Sequence, residues 1–223
     1  MPGIVTPPTA YSTVAQQLYL SYFGRPADPG GLRNFSSQLA EANAPTTLNG
    51  INSAMNTNAG LKALIESLGT SDESLALYGS DTIGFISAIY TNVLNRAPDF
   101  DGLLFWAGEI NAGRLSKPAT AIAIADGAMA LGGVDAALMQ VKTTISSNFT
   151  NSLDTPAEVA QYAGLAAAAT LRDVMRTILP STNPDTFDFS FIFIPVRVFD
   201  APISLVGVPA PAMHHLSGAM LFV

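Results

Sequence analysis

Apolar side chains recur along most of this chain at helical spacing. Leu18, Tyr19, Tyr22 and Phe23 share one face, and Leu61, Leu64, Ile65 and Leu68 follow the i, i+3, i+4, i+7 pattern of one buried stripe. Between the stripes stand Pro, Gly, Asn, Asp, Ser and Thr, residues that stop one helix or cap the next. The pattern predicts helices over 12–23 with Ser12 as N-cap, 28–42, from Thr46 or Thr47 through Met55, and 61–68 closed by Gly69. Further helices follow over 72–78, 81–94, 99–112, 118–131, 134–153 and, as one long element, 155–179. Residues 1–11, with Pro2, Gly3, Pro7 and Pro8, read as a flexible leader. Beyond Pro180 the texture changes: 186–198 alternates and then fills with Phe, Ile and Val, which favours strands, and Val208-Pro209-Ala210-Pro211 is broken by proline. The expected organisation is an all-α helical domain over 12–179, followed by a Pro-rich, β-prone or irregular tail over 180–223.

The helical domain contains one unit twice. At an offset of 71 residues, counted from Arg25 to Arg96, Leu18 falls on Ile89, Tyr19 on Tyr90, Phe23 on Leu94, Asp28 on Asp99, Gly31 on Gly102, Leu32 on Leu103 and Phe35 on Trp106. Each copy reads as helix, tight turn, helix, which gives a bundle of two related units over about 12–80 and 81–179. In the first, Gly24-Arg25-Pro26 ends a helix, because proline disfavours helical geometry in the residue before it. Asp28 suits the next N-cap, with Pro29 at the first helical position. Asp99 takes the same place in the second copy, and Asp101 adds a favourable charge in the first turn. Arg25 and Arg96 are placed to meet the preceding helix's last carbonyls or the capping aspartate.

Composition narrows the function classes. Of the 223 residues, 48% are hydrophobic and only 12% charged, about half the charged share usual in soluble globular proteins. A formal net charge of −7 and no basic run argue against nucleic acid, whose affinity comes from Lys and Arg clusters. Cysteine is absent, so there is no disulfide framework or thiolate. No cleavable N-terminal signal is visible, the first basic residue being Arg25, and no run of 18 apolar residues exists to span a bilayer. Cytoplasmic residence is the plain expectation, and export by an uncleaved C-terminal signal the competing one.

The second motif, with Tyr90, Leu94, Arg96, Pro98, Asp99, Gly102, Leu103 and Trp106, resembles the signature of domain-of-unknown-function family 4214. Val141-Lys142-Thr143, Phe149-Thr150, Thr155-Pro156-Ala157-Glu158 and Tyr162-Ala163-Gly164 downstream are similar to the region that follows it, so the resemblance spans about 13–179. The first copy departs from the pattern, with Pro26-Ala27 in place of Ala97-Pro98 and Phe35 in place of Trp106. The resemblance implies a helical module of bacterial secreted, surface-layer and calcium-repeat proteins, and hence a secreted or cell-surface location.

The site residues this reading singles out are Arg25, Asp28, Gly31, Arg96, Asp99, Asp101, Gly102 and Trp106. Asp99 and Asp101 before Gly102 are a weak calcium candidate, since the later carboxylate of an EF-hand loop is missing and capping explains Asp99. No other cofactor is expected. His214-His215 is the sole histidine pair, so the helical domain lacks the usual general base. No nucleophile elbow or phosphate loop appears, while Glu66, Asp72, Glu73 and Glu109 are the carboxylates that folding could bring together. The aromatic residues Tyr19, Tyr22, Phe35, Phe85, Tyr90, Phe105 and Trp106 sit at core-packing spacing before they suggest a sugar platform. The favoured expectation is a non-catalytic module for anchoring or assembly at the cell surface, with envelope polysaccharide, lipopolysaccharide or other surface subunits as partners. The alternatives are a carboxylate-dependent glycan hydrolase, or an accessory of one, and a protein–protein scaffold.

Overall fold

In the computed structural model, which describes residues 6–189, the chain organises around α1 (Ser12–Phe23). Val14, Ala15, Leu18, Leu20 and Tyr22 are buried around its circumference, together with the polar Gln16 and Ser21. A helix apolar on all sides must be covered on all sides. Four helices do so: α2 (Pro29–Glu41), α6 (Thr82–Leu94), α8 (Lys117–Leu131) and α9 (Gly133–Ser152). Between them come α3 (Leu48–Ala54), α4 (Ala59–Ser67), α5 (Asp72–Tyr78) and α7 (Phe100–Asn111), and α10 (Pro156–Gln161) and α11 (Leu165–Thr177) follow. Among the described residues there is no strand, so the all-α expectation holds.

Local chemistry sets most boundaries. Asp28, Thr47, Asn58, Ser71, Asp81, Asp99, Ser116 and Thr155 each cap a helix by accepting a backbone N–H from the first turn, worth about 1 kcal/mol apiece. Thr155 and Glu158 form a reciprocal capping box.

The main core draws on both repeats, from Tyr11 to Met139. A second cluster joins Leu20 to Leu138, Ile145, Met175 and Ile178, and a third joins Phe149, Leu153, Tyr162 and Leu171. The two repeats therefore share one interior through α1. No single described helix is long and apolar enough to cross a membrane.

Four local expectations need correction. Pro8–Tyr11 form a 3-10 turn rather than part of a flexible leader, because Tyr11 is buried and its hydroxyl donates to the Ala44 carbonyl. That turn runs straight into α1, so Ser12 bonds back to the Thr9 carbonyl and does not cap. The long helix over 155–179 is two helices. Tyr162 turns inward, its hydroxyl donating to the Pro26 carbonyl, and Gly164 takes φ +93°, which interrupts the helix. Finally, 180–189 is not wholly a tail: Phe187 and Phe189 pack on the smaller clusters and Asn148 donates to the Pro184 carbonyl. The strand-prone run from 190 onward, with the rest of the tail, lies outside the described residues.

Candidate functional site

The two repeated turns are built alike at the atomic level. Gly24 closes α1 at φ +68° and Asn95 closes α6 at φ +52°, each N–H returning to a carbonyl four residues back. Asn is a non-glycine residue that tolerates this left-handed region. Asp28 Oδ1 accepts from the Gly31 N–H at 2.8 Å, and Asp99 Oδ1 from the Gly102 N–H at 2.7 Å. The glycines are required by space: a Cβ on Gly31 would stand 2.7 Å from the Tyr19 hydroxyl, and one on Gly102 3.0 Å from the Tyr90 hydroxyl. Each arginine lies over the tyrosine six residues before it, at 5.5 Å for Arg25 over Tyr19 and 5.4 Å for Arg96 over Tyr90. Phe35 meets Tyr19 edge-on, whereas the half-buried Trp106 donates its indole N–H to the Tyr90 hydroxyl at 3.1 Å.

The arginines' partners differ from those expected. Arg25 Nη1 donates forward to the Pro26 carbonyl and Arg96 Nη1 to the Ala97 carbonyl. Their remaining donors reach distant carboxylates: Arg25 Nε binds Glu73 at 2.8 Å, and Arg96 Nη2 binds Asp135 at 2.8 Å. Stacking on a tyrosine turns the planar fork away from its own cap, and a fork pairs best with a carboxylate presented edge-on. Repeat alignment could not have found these partners. Glu73 follows its arginine by 48 residues and Asp135 by 39, so the pairing does not repeat.

The surroundings set the two turns apart. At the first, Arg25 and Glu73 side chains are each 12% exposed, and Arg172 from α11 adds a second contact to Glu73 at 2.7 Å. Burial works against the Arg25 cation, but the contacts with Glu73 and Tyr162 outweigh it and its pKa is raised. The adjoining Tyr162 and Tyr78 hydroxyls are pushed up, mainly by burial. Helices α10 and α11 thus close the first turn, leaving a cleft beside Arg25, Asp28 and Asp72.

The second turn stays open, with the Arg96 side chain 45% exposed. The outer face of α7 carries Phe100, Leu104 and Phe105 at 73%, 54% and 57% exposure, with Asp99 and Asp101 also exposed beside them. At the repeat offset these three apolar residues replace Pro29, Arg33 and Asn34 of α2. Beneath the turn lies a residue that composition did not single out, Lys142. Its buried Nζ donates to the Asn92 carbonyl and Asn95 Oδ1, both at 2.6 Å, and so ties α9 to the end of α6. Burial, helped by the Arg176 cation, pulls its pKa down to about 7.

Three of the four carboxylates weighed for hydrolysis are separately engaged, and the fourth, Asp72, lines the cleft beside Arg25 together with Asp28 and Glu73. Glu73 sits in the arginine pair, Glu66 accepts from Ser116 Oγ at 2.7 Å, and Glu109 pairs with Arg114. Asp99 serves as a cap, and among the described residues no group of three His, Cys, Asp or Glu side chains is arranged to hold a metal ion. His214-His215 lies outside the described residues.

Comparison with known proteins bears on the second turn. The family model described as Domain of unknown function (DUF4214) matches residues 65–128, from α4 through most of α8, taking in the second motif and leaving the first turn outside. No curated protein and no solved structure matches the chain.

Proposed function

We propose, on the premise that residues 65–128 carry a DUF4214 domain, that this protein is a non-catalytic module for assembly at the bacterial cell surface. It docks through the open second turn and the outer face of α7. The observation that carries this reading is the contrast between the repeats: the first turn is covered by α10 and α11, while the second presents Phe100, Leu104 and Phe105 to solvent. Clustered large apolar groups on a helix exterior mark interaction surfaces. Asp99 and Asp101 beside them, on a chain of net charge −7, select a protein partner with an apolar face flanked by basic side chains.

A second reading is envelope polysaccharide. The exposed Phe100 and Phe105 rings stand beside Asp99 and Asp101, and sugar rings bind between flat apolar faces and carboxylate acceptors. The acidic charge opposes anionic lipopolysaccharide unless calcium bridges the two.

The test is co-sedimentation of the full chain with host envelope, before and after protease treatment of the envelope, with calcium or chelator. Protease-sensitive retention reduced at least tenfold by Phe100→Ser/Phe105→Ser supports the protein-docking reading. Retention that survives protease and needs calcium supports the polysaccharide. Release of reducing sugar, abolished by a single carboxylate substitution, would replace both with a hydrolase. Recovery of the protein solely from the cytoplasm would remove the cell-surface location.

A further inference from the structure

Two neighbouring rows run along the outer side of α7: Phe100 with Leu104, and Asp101 with Phe105, each pair four residues apart on the helix. All four side chains are exposed, and three of them are large and apolar. Asp101 has no ion-pair partner among the described residues. Asp99 stands at the same end, with Oδ1 accepting the Gly102 N–H. The face is therefore apolar with an acidic end that nothing neutralises. What fits it is an apolar recess with a free cation on its rim and no carboxylate.

The chain carries such a recess itself. Two clefts of similar volume lie among the described residues, and charge separates them. The one beside Arg25, of about 480 Å³, is lined by Asp28, Asp72 and Glu73 and repels an acidic face. The other, of about 460 Å³, opens between the 3-10 turn Pro8–Tyr11, α2 and the end of α9, and none of its described lining residues is acidic. Pro8, Pro29 and Leu32 give it an apolar wall, whereas Ser36 Oγ, buried without a hydrogen-bond partner, is shut off from solvent and takes no part. The exposed Arg33 on its rim is the one arginine among the described residues without a carboxylate partner. A solvated arginine is ordinary; its match to the acidic end of α7 is what singles it out. At the repeat offset, Pro29, Arg33 and Asn34 stand where α7 has Phe100, Leu104 and Phe105, so equivalent helix faces of the two repeats are complementary rather than alike.

We infer, building on α7 as the docking face, that its partner is a second copy of this chain, bound head to tail. The Phe100 ring of one copy enters the cleft of the next, Leu104 and Phe105 pack against the prolines and Leu32, and Asp101 pairs with Arg33. Aromatic anchors seated in a recess supply most of the energy of an interface, and opposite charges fix its register. The two faces differ and every copy carries both, so the contact is heterologous and propagates into a ring or a filament instead of closing as a twofold dimer.

The experiment is analytical ultracentrifugation of the full chain over a concentration series. The expected result is an average mass that climbs past twice that of the monomer. Phe100→Ser/Phe105→Ser and Arg33→Glu, all at exposed positions, should each weaken association about tenfold or more without changing the far-ultraviolet circular dichroism. Mixed together, these two variants should form a complex of one of each and nothing larger, because the first keeps the cleft and the second keeps the apolar face. Arg33→Glu/Asp101→Lys, with the charges exchanged, should associate again. A monomer at every concentration, an assembly that stops at a dimer, association unchanged by either variant, no complex on mixing, or no recovery on exchanging the charges would overturn the inference. A chain that stays monomeric yet is retained on envelope protein through Phe100 and Phe105 would remove the second copy as partner and leave the docking role of α7 standing; loss of that retention as well would remove both.

Discussion

Lys142 shows how a single residue can carry a pH dependence. Its folded pKa, about 7, lies below the ordinary lysine value of 10.5 because burial disfavours the cation, so between those two values the unfolded chain holds a proton that the folded one has released. Stability contributed by this group therefore rises as pH rises through that window, by an amount on the order of 3 to 5 kcal/mol in full. Below pH 7 both states are protonated and the burial penalty is felt in full. Urea denaturation from pH 7 to 9.5 should show the wild type gaining on Lys142→Met as pH increases; a constant difference would refute the assignment. At Gly31 and Gly102 the test is steric. Alanine should destabilise both by about 1 to 3 kcal/mol, more at Gly31, where the added carbon meets the Tyr19 hydroxyl at 2.7 Å rather than the Tyr90 hydroxyl at 3.0 Å. Equal or negligible losses by chemical denaturation would mean that the tyrosines yield freely.

At the scale of elements, one turn design has two energetic roles. Glu73 holds Arg25 and Arg172 together in a nearly dry setting, so Glu73→Gln leaves two buried cations without their carboxylate and should cost about 3 to 5 kcal/mol. Arg96→Met breaks a pair with the arginine side chain 45% exposed and should cost less than about 1 kcal/mol. Comparable thermal shifts from the two variants would contradict the idea that α10 and α11 bury the first arginine pair while the second stays solvated. The caps behave alike in both copies, since Asp28 and Asp99 each serve one N–H at nearly the same distance; alanine at either should cost about 0.5 to 2 kcal/mol.

For the whole molecule, the shared interior predicts one unfolding event. Tyr22 packs against Tyr78 and Phe85, and Leu20 meets Met175, so neither repeat keeps a core when the other melts. Trp106 is the only tryptophan and reports the second repeat. Its fluorescence transition in urea should coincide with far-ultraviolet circular dichroism, and Phe35→Trp/Trp106→Phe should move the probe to the first repeat without separating the curves. Two transitions would show repeats that fold independently.

What the chain determined by itself is the set of features whose causes lie within a few residues. Stripes of apolar side chains, caps that reach three residues forward, and glycines where a tyrosine presses on the backbone all follow from neighbours in sequence, so the helices and both turns were legible. The break at Gly164 is not legible in the sequence because alanine continues the helical pattern around it, and the inward pull comes from Tyr162 bonding to Pro26, 136 residues away. Tertiary structure alone decided which carboxylate each arginine meets, that Lys142 is buried, and that Ser36 lacks a partner. It also made two near-identical motifs unequal. Repetition copies local geometry, but burial depends on what else the chain folds against each copy: α10 and α11 bury the arginine of the first turn, whereas that of the second stays 45% exposed.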